Sequence, residues 1–115
     1  MIVLSRERFE QLVADALDAI PPELGRHMEN VAVTVEDHSS DYSLFGLYEG
    51  VPLTKRGPLS YGGAMPDHIT IYQEAICGVC STEAEVVAQV KKTVIHEVAH
   101  HFGISDPRLE ELGWA

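Results

Sequence analysis

The spacing of apolar residues predicts three helices, of which the first lies near the N-terminus. From Phe9 to Ile20, apolar side chains recur at intervals of three and four residues, the pattern of a helix that buries one face. Ser5 stands where an N-cap is needed, and Pro21 follows the last apolar position, so both ends of this helix are marked. The segment from Pro22 to Met28 can add one further turn.

The second helix is expected to begin after Thr82, because Thr82 and Glu85 have the spacing of a capping box. Its apolar stripe consists of Val87, Val90, Val94, Val98 and Phe102. A short third helix is expected from Pro107 to Leu112, with proline at its favoured first position. Trp114 is expected to pack against the end of the domain.

Three segments have the period of two that is typical of strands. Val31 to Glu36 alternates apolar and polar residues, and we expect it to be the central strand. Leu44 to Tyr48 predicts a short strand, and His68 to Tyr72 a third, with Ile69 and Ile71 on one face. The run from Val51 to Pro66 contains three prolines and three glycines and predicts a long loop.

These elements predict an α+β fold in a single domain spanning residues 1–115. We expect a small mixed sheet of three or four strands, with the N-terminal helix and the second helix packed on it. A chain of 115 residues can form one modest core but not two.

The charge of the chain limits its partners. Eighteen acidic against eight basic residues give a net charge of −10, which opposes binding to nucleic acid or to an anionic membrane. The N-terminal segment lacks the basic region and the long apolar run of a signal peptide, and no later run approaches the length of a membrane span. We therefore expect a cytoplasmic protein.

The two cysteines, Cys77 and Cys80, are two residues apart, between a predicted strand and a predicted helix. They can be small core residues or a pair that forms a disulfide reversibly; a four-cysteine zinc site would need a second pair. His38, between Asp37 and Asp41, is expected to be an exposed loop residue rather than a metal ligand.

The segment from Val94 to Pro107 carries the candidate chemistry. His96 and His100 are four residues apart on the predicted second helix, so their side chains lie about 5 to 6 Å apart on one face and can bind one metal ion. Glu97 follows the first histidine, where a carboxylate can accept a proton from the reacting water. The H-E-x-x-H pattern therefore predicts a zinc site with Glu97 as general base, although an ordinary buried helix end would contain the same residue types.

Two further residues extend this pattern. Gly103 has no Cβ and can adopt the left-handed conformation that ends a helix, which lets the chain turn back. Asp106 is the candidate third ligand, and three protein ligands would leave a tetrahedral zinc one open position. Asp106 also directly precedes Pro107, so it can cap the third helix instead, or serve both roles with different oxygens.

The segment H-E-V-A-H-H-F-G-I-S-D resembles the extended zinc signature of the zincin metallopeptidases, with aspartate in the last place. Four other segments make the chain similar to the small bacterial minimal zincins: Gly50–Arg56, Tyr61–Gly63, Pro66–Tyr72 and Leu112–Trp114.

The resemblance implies a zincin-like fold, Zn²⁺ bound by His96, His100 and Asp106, and Glu97 as the catalytic carboxylate. It also implies a peptide or protein substrate, and a strand before the active-site helix that lines the cleft and can pair with an extended substrate.

We thus expect a zinc-dependent peptidase, with two alternatives left open. One is a zinc-binding module that recognises a partner without turnover, which a blocked cleft would favour. The other is a metallohydrolase of a small non-peptide amide, which a closed pocket would favour. Tyr61, His68 and Tyr72 are candidates for stabilising an oxyanion, although simple packing or surface exposure is the more common explanation for each of them.

Overall fold

The computed structural model describes residues 1–50 and 67–114, and within these ranges the chain forms three strands and five α-helices. In order they are α1 (Arg6–Asp18), α2 (Pro22–Gly25), a 3₁₀ turn (Arg26–Met28), β1 (Val31–Glu36), β2 (Gly46–Glu49), β3 (Asp67–Tyr72), α3 (Gln73–Val79), α4 (Glu83–His101) and α5 (Asp106–Leu112). The expected α+β fold is confirmed. The predicted loop from Val51 to Pro66 lies outside the described residues. No helix in the described ranges is long and apolar enough to cross a membrane.

The three strands form one mixed sheet in the order β1-β3-β2. β1 runs parallel to β3, with Val33 opposite Ile69, whereas β2 runs antiparallel to β3, with Tyr48 opposite Ile69. The prediction that β1 is central was therefore wrong, because β1 is an edge strand. The expectation that an extended substrate can pair with β3 was also wrong, because both edges of β3 are already occupied.

The burial of the two strands explains this arrangement. β1 alternates between half-buried and exposed residues, as expected for a strand with one solvated face. β3 is buried on both faces: Ile69 and Ile71 are fully buried, and on the other face Thr70 and Tyr72 are only 5% and 9% exposed. Near-continuous burial is typical of a strand with neighbours on both sides.

Helix α1 packs along α4 and follows the predicted pattern. The Ser5 hydroxyl caps its first turn by accepting a hydrogen bond from the Arg8 backbone N–H. Its apolar stripe buries Phe9, Leu12, Val13 and Ala16 in the core. The guanidinium of Arg8 donates two hydrogen bonds to the Glu83 carboxylate, at 2.6 and 2.9 Å, and thereby joins α1 to the start of α4. These bonds hold the pKa of Glu83 below its ordinary value.

Helix α4 begins with the predicted capping box. The Thr82 hydroxyl accepts from the Glu85 backbone N–H at 3.1 Å, and the Glu85 carboxylate accepts from the Thr82 backbone N–H at 3.0 Å. A hydrogen bond from the Ser81 backbone N–H is the largest cause of a pKa below the ordinary value for Glu85.

The buried face of α4 is wider than the predicted stripe. It comprises Val86, Val90, Thr93, Val94, Ile95, Val98 and Ala99. Val87 is only partly buried, and Phe102 is 41% exposed. These two residues lie at the margin of the face that contacts α1 and the sheet.

The two cysteines belong to the core. Cys77 lies in α3 and Cys80 at its C-terminal end, so a short helix that the sequence did not predict lies between the third strand and α4. Both are free thiols, 7% and 3% exposed. Burial raises the pKa of each thiol, which disfavours the reactive thiolate. The interpretation as small core residues is the one that this packing supports.

Candidate active site

The C-terminal end of α4 has the reversal that the sequence predicted. Gly103 adopts a positive φ of 76°, and the Ile104 backbone N–H donates to the Ala99 carbonyl at 2.8 Å. A residue in the left-handed region followed by this hydrogen bond is the Schellman ending of a helix. The chain consequently turns back toward the last turn of α4.

This reversal brings Asp106 to His100. Asp106 Oδ1 lies 3.1 Å from His100 Nε2, and both side chains are more than half exposed. The cap of α5 is Ser105, whose hydroxyl accepts a hydrogen bond from the Arg108 backbone N–H at 3.3 Å. Asp106 is the first residue of the helix, so its predicted role as N-cap was wrong. Pro107 accordingly occupies the second helical position and not the first.

A zinc ion requires its ligand atoms to lie at particular distances from one another. Two ligand atoms bound to a tetrahedral zinc at about 2.0–2.2 Å lie about 3.3–3.6 Å apart, slightly more than the 3.1 Å between His100 Nε2 and Asp106 Oδ1. The ring centroids of His96 and His100 are 5.9 Å apart, and two imidazoles on one tetrahedral zinc would have centroids about 5 Å apart.

Each pair is therefore near ligand spacing, but the three side chains do not meet at one point. Within residues 1–50 and 67–114, no group of three or more histidine, cysteine or acidic side chains converges closely enough to hold a metal ion. The donor set itself, two imidazoles and one carboxylate, fits zinc.

Glu97 is held by the neighbouring edge strand. Its Oε1 accepts a hydrogen bond from the Tyr48 backbone N–H at 3.0 Å, which joins the middle of β2 to the last turns of α4. The close approach of the two elements depends on Gly46, because a Cβ there would lie 2.7 Å from Thr93 Cγ2. A larger residue at position 46 would push β2 away from the helix.

His96 and Glu97 open onto a groove of about 450 Å³. One wall is the polar face of α4, and the other is the segment that leads into β2. The remaining lining residues are Ser43, Leu44, Phe45, Gly46, Gln89, Lys92 and Thr93. Its volume lies within the range of about 300–1,000 Å³ that is typical of ligand sites.

A polar cluster around the buried Asp67 was not predicted from the sequence. The Tyr48 hydroxyl donates to Asp67 Oδ2 at 2.7 Å, and His101 Nε2 lies 3.9 Å from the same oxygen. The rings of Tyr48 and His101 are stacked, with centroids 4.0 Å apart. Asp67 is only 7% exposed. The cluster fixes Tyr48, and with it the backbone N–H that Glu97 accepts.

Of the other residues singled out in the sequence, those that the structure describes do not line this groove. Tyr61 lies outside the described residues. His68 Nε2 is 2.6 Å from Thr34 Oγ1 on the neighbouring strand, and Tyr72 is 9% exposed at the end of β3. Neither residue lines the groove. His38 is exposed, as expected, and stacks on Tyr42 with centroids 4.0 Å apart.

Comparison with known proteins adds two findings. The family model for zincin-like metallopeptidases matches residues 28–114. Among solved structures, the fold is similar to that of a conserved hypothetical protein from Thermus thermophilus, with a TM-score of 0.57 and 24% sequence identity over 86% of this chain and 94% of that one. No curated protein matches the chain.

Proposed function

Because the chain belongs to the zincin-like metallopeptidase family, we propose that it is a zinc-dependent peptidase. In this proposal His96, His100 and Asp106 hold the metal, and Glu97 is the general base. The observation that carries the proposal is the return of Asp106 to within 3.1 Å of His100, three residues beyond a glycine in the left-handed conformation.

Glu97 is suited to its proposed role by position and by support. It lies one residue after His96 and lines the same groove, so a peptide carbonyl beside the metal ligands is within reach of its carboxylate. Zinc, when bound, supplies Lewis acidity and lowers the pKa of water toward about 7. Glu97 accepts the proton of the attacking water and returns it to the leaving amine. The Tyr48 N–H holds one carboxylate oxygen and leaves the other to move the proton.

The shape of the site favours an extended peptide over the two alternatives. In the described part of the chain, the space beside His96 and Glu97 is a groove between α4 and the segment leading into β2. A groove accommodates a chain that continues in both directions, whereas a small amide would be favoured by a closed pocket. The same groove makes Glu97 accessible to a substrate, and a binding module without turnover would not need an accessible general base.

Two expectations about the setting of the protein belong to the same proposal. A net charge of −10 disfavours nucleic acid and anionic membrane as partners. The cytoplasmic location expected from the sequence agrees with two free, buried cysteines.

The test is cleavage of a broad peptide library by zinc-loaded protein, followed by mass spectrometry. We expect cleavage that is abolished by a chelator and restored by zinc. Glu97→Gln is the matched control, because the amide retains the size of the carboxylate without its basicity. It should keep its zinc and lose about 10²- to 10⁴-fold in rate.

Two results would contradict the proposal. Cleavage by Glu97→Gln at the wild-type rate would exclude Glu97 as the general base. The absence of any cleavage by zinc-loaded wild-type protein would favour the zinc-binding module.

A further inference from the structure

The groove beside His96 and Glu97 has an unusual charge for so acidic a chain. Among its described lining residues, Lys92 is the one permanent cation, and Glu97 is the one acid. Gln89 and Thr93, on the same wall as Lys92, hydrogen bond to each other at 3.2 Å and carry no charge. Lys92 therefore adds a positive charge to the wall of this groove although the chain carries a net charge of −10.

Lys92 has no acidic partner in the described ranges. No carboxylate there lies within 4.0 Å of its ammonium group. By contrast, Arg6, Arg8 and Arg108 are each paired with an acidic side chain. An unpaired cation in the wall of a groove is available to a ligand without first breaking an internal ion pair.

The position of Lys92 relative to His96 allows it to contact a substrate residue close to the scissile bond. Lys92 precedes His96 by four residues, so it lies just over one helical turn, about 6 Å, farther along the same face of α4. An extended peptide advances about 3.3 Å per residue. A side chain one or two residues from the scissile bond can thus come near Lys92.

We propose that this groove is the subsite for an acidic side chain of the substrate, with Lys92 as the residue that determines this preference. The proposal rests on the peptidase function proposed above and names a substrate class for it, peptides with aspartate or glutamate near the scissile bond. Glu97 repels an acidic side chain at its own end of the groove, so the favourable position is the one beside Lys92.

The experiment measures binding separately from turnover. Zinc-loaded Glu97→Gln protein is titrated with three fluorescent peptide pools in which one position is fixed as Glu, Gln or Lys and the others are randomised. Because Lys92 is exposed to solvent, we expect the Glu pool to bind only roughly fivefold more tightly than the Gln pool. The Lys pool should bind more weakly than either.

Lys91 provides the matched control. It is the next residue on the helix, but it lines a different cavity beside Pro21 and Trp114, which Lys92 borders as well. Lys92→Gln should abolish the preference for the Glu pool, and Lys92→Glu should reverse it toward the Lys pool. Lys91→Gln, with the same change of net charge, should leave the preference intact.

Equal affinity for the Glu and Gln pools would overturn the assignment, and so would equal losses in Lys92→Gln and Lys91→Gln, since these would reflect net charge alone. The two proposals fail in different ways. If active protein cleaves no pool while Glu97→Gln binds with the stated preference, catalysis is refuted and the role of Lys92 stands. If active protein cleaves the pools without preference, catalysis stands and the role of Lys92 is refuted.

Discussion

Asp106 provides the sharpest test of the metal site, because the structure separates two roles that the sequence left combined. The cap of α5 is Ser105, so the Asp106 carboxylate is not needed to start that helix. Asp106→Asn retains the shape of the side chain and removes its charge. If Asp106 is a ligand, this substitution should weaken zinc binding while leaving the metal-free protein almost unchanged.

The expected magnitudes follow from the geometry. The His100–Asp106 contact is more than half exposed on both sides, so its loss should cost the metal-free protein at most about 1 kcal/mol. Loss of a direct ligand should exceed the 10- to 100-fold that is typical of groups behind the ligands, so we expect zinc affinity to fall at least about 100-fold. A 100-fold loss of affinity removes about 2.7 kcal/mol of the stabilisation that excess zinc gives to the folded protein. For a chain of this size, that energy shifts the melting temperature by roughly 10 °C.

The assay is a zinc titration against a chromophoric chelator, together with thermal melts with and without zinc. Ser105→Ala is the matched control, because it should cost about 1 kcal/mol in both conditions through the lost cap while leaving zinc affinity near that of the wild type. Unchanged zinc affinity in Asp106→Asn would refute the reasoning. The third ligand would then have to be sought among Glu110, Glu111 and His101.

Three further outcomes are expected. His96→Ala and His100→Ala should each reduce bound zinc from one ion per chain to almost none by elemental analysis, and a fully metallated double variant would exclude the site. Gly46→Ala should lower the free energy of unfolding in urea by about 1–3 kcal/mol, because its Cβ would lie 2.7 Å from Thr93 Cγ2. Adding Thr93→Ser should restore part of this free energy, and no restoration would argue against the contact. The pKa of Glu85 lies below its ordinary 4.5, so its contribution to stability is present above about pH 4.5 and is lost as the pH falls further. Glu85→Gln should therefore reduce the fall in melting temperature between pH 5 and 3, and the same fall in variant and wild type would contradict the linkage.

The sequence predicted those parts of the molecule that depend on neighbouring residues. The capping box at Thr82, the cap at Ser5 and the left-handed Gly103 are set by local hydrogen bonding, and all three were confirmed. The pair His96 and His100 follows from helical periodicity, and the rings do lie side by side.

Features that depend on long-range pairing were not predictable in the same way. The alternation of β1 shows that one of its faces is solvated, but it does not specify a position in the sheet, and β3 took the central place. The support of Glu97 by Tyr48 joins residues 49 positions apart through a backbone group, which leaves no trace in the identity of the side chain. Lys92 was not predicted as a functional residue, because lysines are common on exposed helix faces and the sequence does not show that Lys92 lines a groove.

The Tyr48–Glu97 hydrogen bond also has a consequence for self-association. β2 is an edge strand, and the unpaired N–H groups of such strands invite pairing with another chain. Here the Tyr48 N–H is already taken by Glu97, so a foreign strand cannot form a continuous ladder along Gly46–Glu49. In the described part of the chain, the carboxylate proposed to move protons thus also occupies a backbone donor at the edge of the sheet.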